Sequence, residues 1–123
     1  MHEVNFSGTT AVLVIQIDDI IICANTGDSR AILFGSEGIT ELSKDHKPDN
    51  ELELQRIINS GGRVEKYKDN GNPVGPFRVW LKYDDYPGLA MSRSFGDFVS
   101  KSIGCISEPE IIEAEIDKET KML

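Results

Sequence analysis

Residues 25–33, NTGDSRAIL, set an aspartate and a serine side by side behind a glycine, between two apolar runs. For Ser29 to act as a nucleophile it needs a histidine base oriented by a carboxylate. His46 is the only histidine beyond the N-terminus, and no Asp-x-x-His pair lies near the C-terminus. The run after Ser29 reads as a strand, whereas a nucleophile elbow feeds a helix. Ser29 is therefore read as a turn residue. Asp28 is the better candidate, because a carboxylate on a turn between strands is held rigidly, as a metal ligand must be. Aspartates in turns also accept local backbone N–H groups, so one carboxylate leaves both readings open. Mg²⁺ and Mn²⁺ require several oxygen ligands. Asp18, Asp19 and Asp97 qualify by type, and their spacing does not bring them together. Arg93, in MSRSFGD, could hold an anion but is read as a structural ion-pair partner. The glycines match neither GxxxxGK[ST] nor GxGxxG, so no phosphate cradle is read from them.

The chain has 123 residues, enough for one small domain with a core. Its hydrophobic share of 39% and charged share of 28% are those of an ordinary soluble domain. A net charge of −8 argues against nucleic acid and anionic membrane as partners, since both require basic surface. No apolar run is as long as a membrane span, and MHEVNFSGTT lacks the basic and apolar regions of a signal peptide. Cys23 and Cys105 lie far apart and form no CxxC, and with His2 and His46 they do not make a zinc set. They read as two buried thiols of an intracellular, cytoplasmic or nuclear, protein.

The elements that must position these residues follow from patterning. GTTAVLVIQI (8–17) is a continuous β-branched run and reads as a buried strand. Asp18-Asp19 breaks it, IIICAN reads as the returning strand, TGDS as a second tight turn and RAILFG (30–35) as a third strand, giving an antiparallel meander. SEG (36–38) is a further turn and ITEL a short fourth strand. Asp49 or Asn50 can then cap a helix with Leu54, Ile57 and Ile58 on its apolar face and Gly61-Gly62 as its stop. Asn70-Gly71 marks a hairpin whose returning arm Pro73 and Pro76 make irregular, and this stretch reads as the most mobile. Residues 89–104 place Phe95 and Phe98 at helical spacing; PEIIEAEI (109–116) reads as a strand and DKETKML as a charged turn. The fold class is α+β, with antiparallel sheet and at least one packed helix.

Several stretches, in order, resemble the metal-dependent protein serine/threonine phosphatases of the 2C family. FSGTTAVLVIQ is similar to the family's Ser-Gly-Thr-Thr-Ala strand, and CANTGDSRAIL to its Ala-Asn-x-Gly-Asp-Ser-Arg-Ala hairpin. LSKDHKPDNELELQRIINSGGRV resembles its Asp-His-Lys-Pro segment, helix and Gly-Gly stop, and PGLAMSRSFGD its Leu-Ala-x-Ser-Arg-x-x-Gly-Asp motif. ISEPEI resembles the strand that follows. The resemblance implies two antiparallel sheets stacked as a sandwich and flanked by helices. It implies two Mg²⁺ or Mn²⁺ ions in a cleft, sharing a water aimed at the phosphorus of a phosphoserine or phosphothreonine in a phosphoprotein substrate. Asp28 matches the aspartate of a third, weaker metal position, and residues 63–88 match the flap beside the cleft. Ser92, Arg93, Asp97 and His46 match positions read as structural.

The family's N-terminal Glu-Asp segment, Asp-Gly-His-Gly, Asp-Gly-x-Trp-Asp and late Asp-Asn motifs are not in these 123 residues, nor is its N-terminal phosphate-binding arginine. Asp49-Asn50 and Asp69-Asn70 share letters with the last motif in another context. The expectation is thus the central part of a phosphatase domain (1–123) that lacks the N- and C-terminal metal-binding segments. By itself it should be inactive, with no catalytic residue and no cofactor-binding residue of its own beyond Asp28, and with no metal held. A non-catalytic interaction module that kept the fold is the alternative. An apolar strand at 8–17 without its cover also predicts self-association.

Overall fold

A β-branched run favours extended backbone, and a left-handed residue is what turns it back on itself. The structure, a computed structural model, describes residues 4–116 and 121–122. β1 (Gly8–Thr9) and β2 (Ala11–Ile17) share the first run, and β2 pairs antiparallel with β3 (Ile20–Thr26) from Ala11↔Thr26 to Ile17↔Ile20. Asp18, at φ 51°, turns the chain between them. β10 (Glu110–Glu115) pairs with the other edge of β3, giving the order β10-β3-β2. β4 (Ile32–Gly35) and β5 (Gly38–Glu41) form a second sheet with β11 (Lys121–Met122). Ile21 and Cys23 of the first sheet pack with Leu33 of the second and with Ala31 and Leu42 that flank it. The two antiparallel sheets therefore share one apolar core. The charged turn expected after 116 falls at 117–120, outside the described residues.

The expected three-strand meander is corrected. β3 and β4 lie in different sheets, so TGDS is a crossing between sheets and not a hairpin turn. The physical reason is that β3 has no free edge, with β2 on one side and β10 on the other. The expected burial of the strand at 8–17 is corrected as well. β2 is an edge strand, with Leu13 58% and Ile17 55% exposed. β1 leaves it at Thr10 and pairs instead with β9 (Phe95–Gly96).

Helix α1 (Glu51–Asn59) starts at Asn50, but the Asn50 side chain does not cap it and donates instead to the Asp45 carbonyl at 2.9 Å. Its end is a paired glycine stop: Gly62 N–H bonds the Ile57 carbonyl at 2.9 Å, Gly61 N–H the Ile58 carbonyl at 3.1 Å, and Gly61 takes φ 87°. The buried face is one position off the expected one. Ile57 is buried and Leu54 half-buried, but Ile58 is 51% exposed and its expected place is taken by Glu53, only 3% exposed. A carboxylate in phase with the stripe becomes buryable once two arginines reach it, as described below.

β6 (Arg63–Asp69) and β7 (Asn72–Trp80) form the expected hairpin, turned by Asn70 at φ 48° and Gly71 at φ 81°. The register jumps from Lys66↔Phe77 to Tyr67↔Val74, leaving Gly75 and Pro76 without partners, which is the irregularity the prolines imposed. β8 (Pro87–Leu89) adds a third strand. Ile57, Val79, Ile103 and Cys105 form a second core under α1 and the hairpin. Phe95 and Phe98 share no helix: Phe95 lies in β9, Phe98 opens the short α2 (Phe98–Lys101), and both side chains are exposed.

Candidate functional site

The NTGDSR segment leaves the end of β3 and is tied through Asn25, Gly27, Asp28 and Arg30 to the loop 44–47 that precedes α1. Asn25, buried, donates through Nδ2 to the Lys44 carbonyl at 3.0 Å and to the Gly27 carbonyl at 3.1 Å. Gly27 donates its N–H to His46 Nδ1 at 3.0 Å, and His46 N–H donates to the Gly27 carbonyl at 3.0 Å. Asp28 Oδ2 accepts from Lys47 Nζ at 2.6 Å. Arg30 places its fork on Asp45, with Nε 3.1 Å from Oδ1 and a terminal nitrogen 2.8 Å from Oδ2. Gly27 has to be glycine, since its φ is +111° and a Cβ there would run into the Thr10 side chain.

Ser29 shares a hydrogen bond of 2.7 Å with the Thr10 hydroxyl, while the His46 ring is engaged by Gly27. His46 is 2% exposed. Its Nδ1 accepts a hydrogen bond, so the neutral ring carries its proton on Nε2, 3.7 Å from Glu110 Oε2 and beyond hydrogen-bond reach. Burial, and then the positive charge of Arg93, hold its pKa below the ordinary histidine value; Glu53 and Glu110 pull the other way. It works as a neutral anchor that bolts the backbone before Asp28 to the backbone before Lys47.

Arg93 is committed to Glu53. Its Nε lies 2.7 Å from Glu53 Oε1 and a terminal nitrogen 3.1 Å from Oε2, and it also donates to the Glu108 carbonyl at 2.9 Å. Glu53 further accepts from Arg56 at 2.7 and 3.1 Å and from the Ser92 hydroxyl at 2.8 Å. Burial alone would raise its pKa, but the Arg93, Arg56 and Ser92 hydrogen bonds win and hold the carboxyl well below the usual range. This hub ties α1 to residues 92–93 and, through Arg56 to the Gly104 carbonyl at 2.7 Å, to the loop after α2. Sequence reasoning missed Glu53. The available signal was a glutamate four residues before the buried Ile57, with an arginine one turn on.

Asp28 is therefore the one expected metal position, and the other aspartates do not converge on it. Asp18 and Asp19 sit at the far end of β3, roughly 20 Å along the strand. Asp97 is buried at left-handed φ 48°, with its carboxylate against Gly8. Among the described residues no group of three His, Cys, Asp or Glu side chains could hold a metal ion. A single carboxylate already paired with a lysine does not fit a two-metal centre, so no reaction step can be derived from these residues. Cys23 and Cys105 are free and buried, and burial pushes the Cys105 thiol up to about 12. Among the described residues no helix is long and apolar enough to cross a membrane.

Two antiparallel sheets sharing a core, and a three-stranded sheet backed by helix α1, define an α+β architecture. The family model described as Protein phosphatase 2C matches residues 1–123, and the chain belongs to that family. It is 44% identical over 115 residues to probable protein phosphatase 2C 34 of Arabidopsis thaliana, covering 89% of this chain and 31% of that protein. It is 38% identical over 128 residues to probable protein phosphatase 2C 61 of the same plant, covering 100% of this chain and 38% of the relative. The chain thus spans about a third of the length of these relatives. A serine-threonine phosphatase 2C from Toxoplasma gondii superposes with a TM-score of 0.81 over 96% of this chain and 40% of its own, at 23% identity, a likeness of fold. The family is metal-dependent, and its relatives are named as protein phosphatases.

Proposed function

We propose that this chain is the central part of a protein phosphatase that hydrolyses phosphoserine and phosphothreonine esters in phosphoproteins with Mg²⁺ or Mn²⁺. The family match across all 123 residues carries the reading. The lone carboxylate of Asp28 and the commitment of His46, Arg93 and Glu53 to structural bonds support a scaffolding role for this part, inactive by itself. The test is release of phosphate from a phosphothreonine peptide by the longer protein that contains this segment, with Mn²⁺ and with chelator. Chelator-sensitive turnover is expected. A folded longer protein that releases nothing would overturn the reading in favour of a non-catalytic interaction module.

The isolated chain is further proposed to self-associate. The exposed side chains of Leu13, Ile15 and Ile17 and the open edge of β2 support this.

A further inference from the structure

We propose that the outer face of the β6-β7-β8 sheet is a docking site for a peptide segment of another protein that carries an aromatic side chain next to a carboxylate. Side chains alternate across a strand, so the register sorts this sheet into two faces. Val64, Val79 and Leu89 belong to the core under α1. The opposite face takes Arg63 with Trp80, Glu65 with Arg78, and Tyr67 with Val74 as cross-strand pairs. On it lies a hollow of about 390 Å³, lined by Tyr67, Val74, Arg78, Trp80, Pro87 and Gly88. That volume is at the small end of ligand sites and suits one large side chain with its flanking backbone.

The floor of the hollow is preformed. Trp80 is only 9% exposed although it lies on the face away from the core. Its Nε1 donates to the Glu65 carbonyl at 2.9 Å, and the Arg63 guanidinium sits 5.7 Å from the ring centre. Gly88 leaves the ring its place, since a Cβ there would come within 3.0 Å of it. Tyr67, 54% exposed, stands beside this floor as an accessible ring. Tyrosine and tryptophan supply rigid contact area for an aromatic group at low ordering cost. The single charge in the hollow is Arg78, which is half-buried. The carboxylate directly across the ladder, Glu65, is spent on Arg63 at 2.7 Å, and Asp85 on the same arginine at 3.1 Å. Arg78 donates to the Gly88 carbonyl at 2.9 Å and, among the described residues, forms no ion pair. A half-buried guanidinium with donors to spare, in a chain of net charge −8, selects a carboxylate from outside. Tyr67 and Arg78 together thus set the partner's chemistry as an aromatic residue beside an acidic one.

Trp80 is the only tryptophan of the chain, so its fluorescence reads this hollow directly. The probes are the peptide Ac-Ala-Phe-Glu-Ala-NH2, the same peptide with glutamine for glutamate, and the same peptide with alanine for phenylalanine. The first should change the emission saturably, and each of the others should bind about fivefold more weakly. Arg78→Gln should erase the preference for glutamate, and Tyr67→Ala the preference for phenylalanine. In the unmodified chain the amide resonances of Val74, Gly75 and Gly88 should shift in step with the emission, a readout that stands even where a variant fails to fold. No saturable response to the first peptide, equal binding of the glutamate and glutamine peptides, resonance shifts confined to other parts of the chain, or a folded variant that keeps the preference it should lose would each overturn the proposal.

Discussion

At the scale of single residues, two buried groups dominate. His46 is neutral because burial and Arg93 hold its pKa below 6.5, and protonation would put a second donor against Gly27 N–H. A folded-state pKa below the unfolded value means the unfolded chain binds the proton first as acid is added. Stability should be full above about pH 6.5, the ordinary histidine value, and fall as pH drops below it through the folded-state pKa. Urea midpoints measured across pH should show this slope, and His46→Gln should flatten it. Glu53 obeys the same sign lower down: its depressed pKa means a second loss of stability once pH falls below about 4.5. At neutral pH, Glu53→Gln leaves Arg56 and Arg93 as partly buried charges without their anion. The expected cost is about 3–5 kcal/mol by denaturant unfolding.

At the scale of elements, periodicity gave the kind of each element more reliably than its neighbours. The Asn70-Gly71 hairpin, the Gly61-Gly62 stop and the strand at 109–116 were legible because each has a local cause: left-handed turn residues or alternation. The sheet crossing at Gly27 was not legible, because a tight turn and a crossing use the same residues, and the choice depends on β10 claiming the second edge of β3 from some 85 residues away. The register of α1 was misjudged because pattern counting treats a glutamate as solvent-facing, and Glu53 is buried by arginines that lie outside the pattern or outside the helix. Of the site, the Asp28 position came from family resemblance, while its lock by 44–47 required the structure. The helix register gives a sharp contrast to measure. Ile57→Ala should cost about 2–5 kcal/mol, whereas Ile58→Ala on the half-exposed side should cost under about 1 kcal/mol. Gly27→Ala should destabilise by about 1–3 kcal/mol, because it adds both a strained φ and a contact with Thr10.

At the scale of the whole molecule, two apolar cores hold two lobes: the stacked sheets, and the hairpin with α1. The Glu53 hub and the His46 lock join them through residues 44–47 and 92–93. One side left bare is β2, an uncharged edge strand with apolar side chains exposed. Light scattering should show mass rising with concentration, and Leu13→Lys should reduce the association; a strict monomer at high concentration would count against it. As proposed above, these 123 residues supply part of the frame of a phosphatase domain and are inactive by themselves. The most direct measurement is phosphate release from a phosphothreonine peptide by the purified chain, in Mn²⁺ with and without chelator. The expected result is no release above the protein-free rate in either condition. Release by the pure chain that chelator abolishes would contradict it.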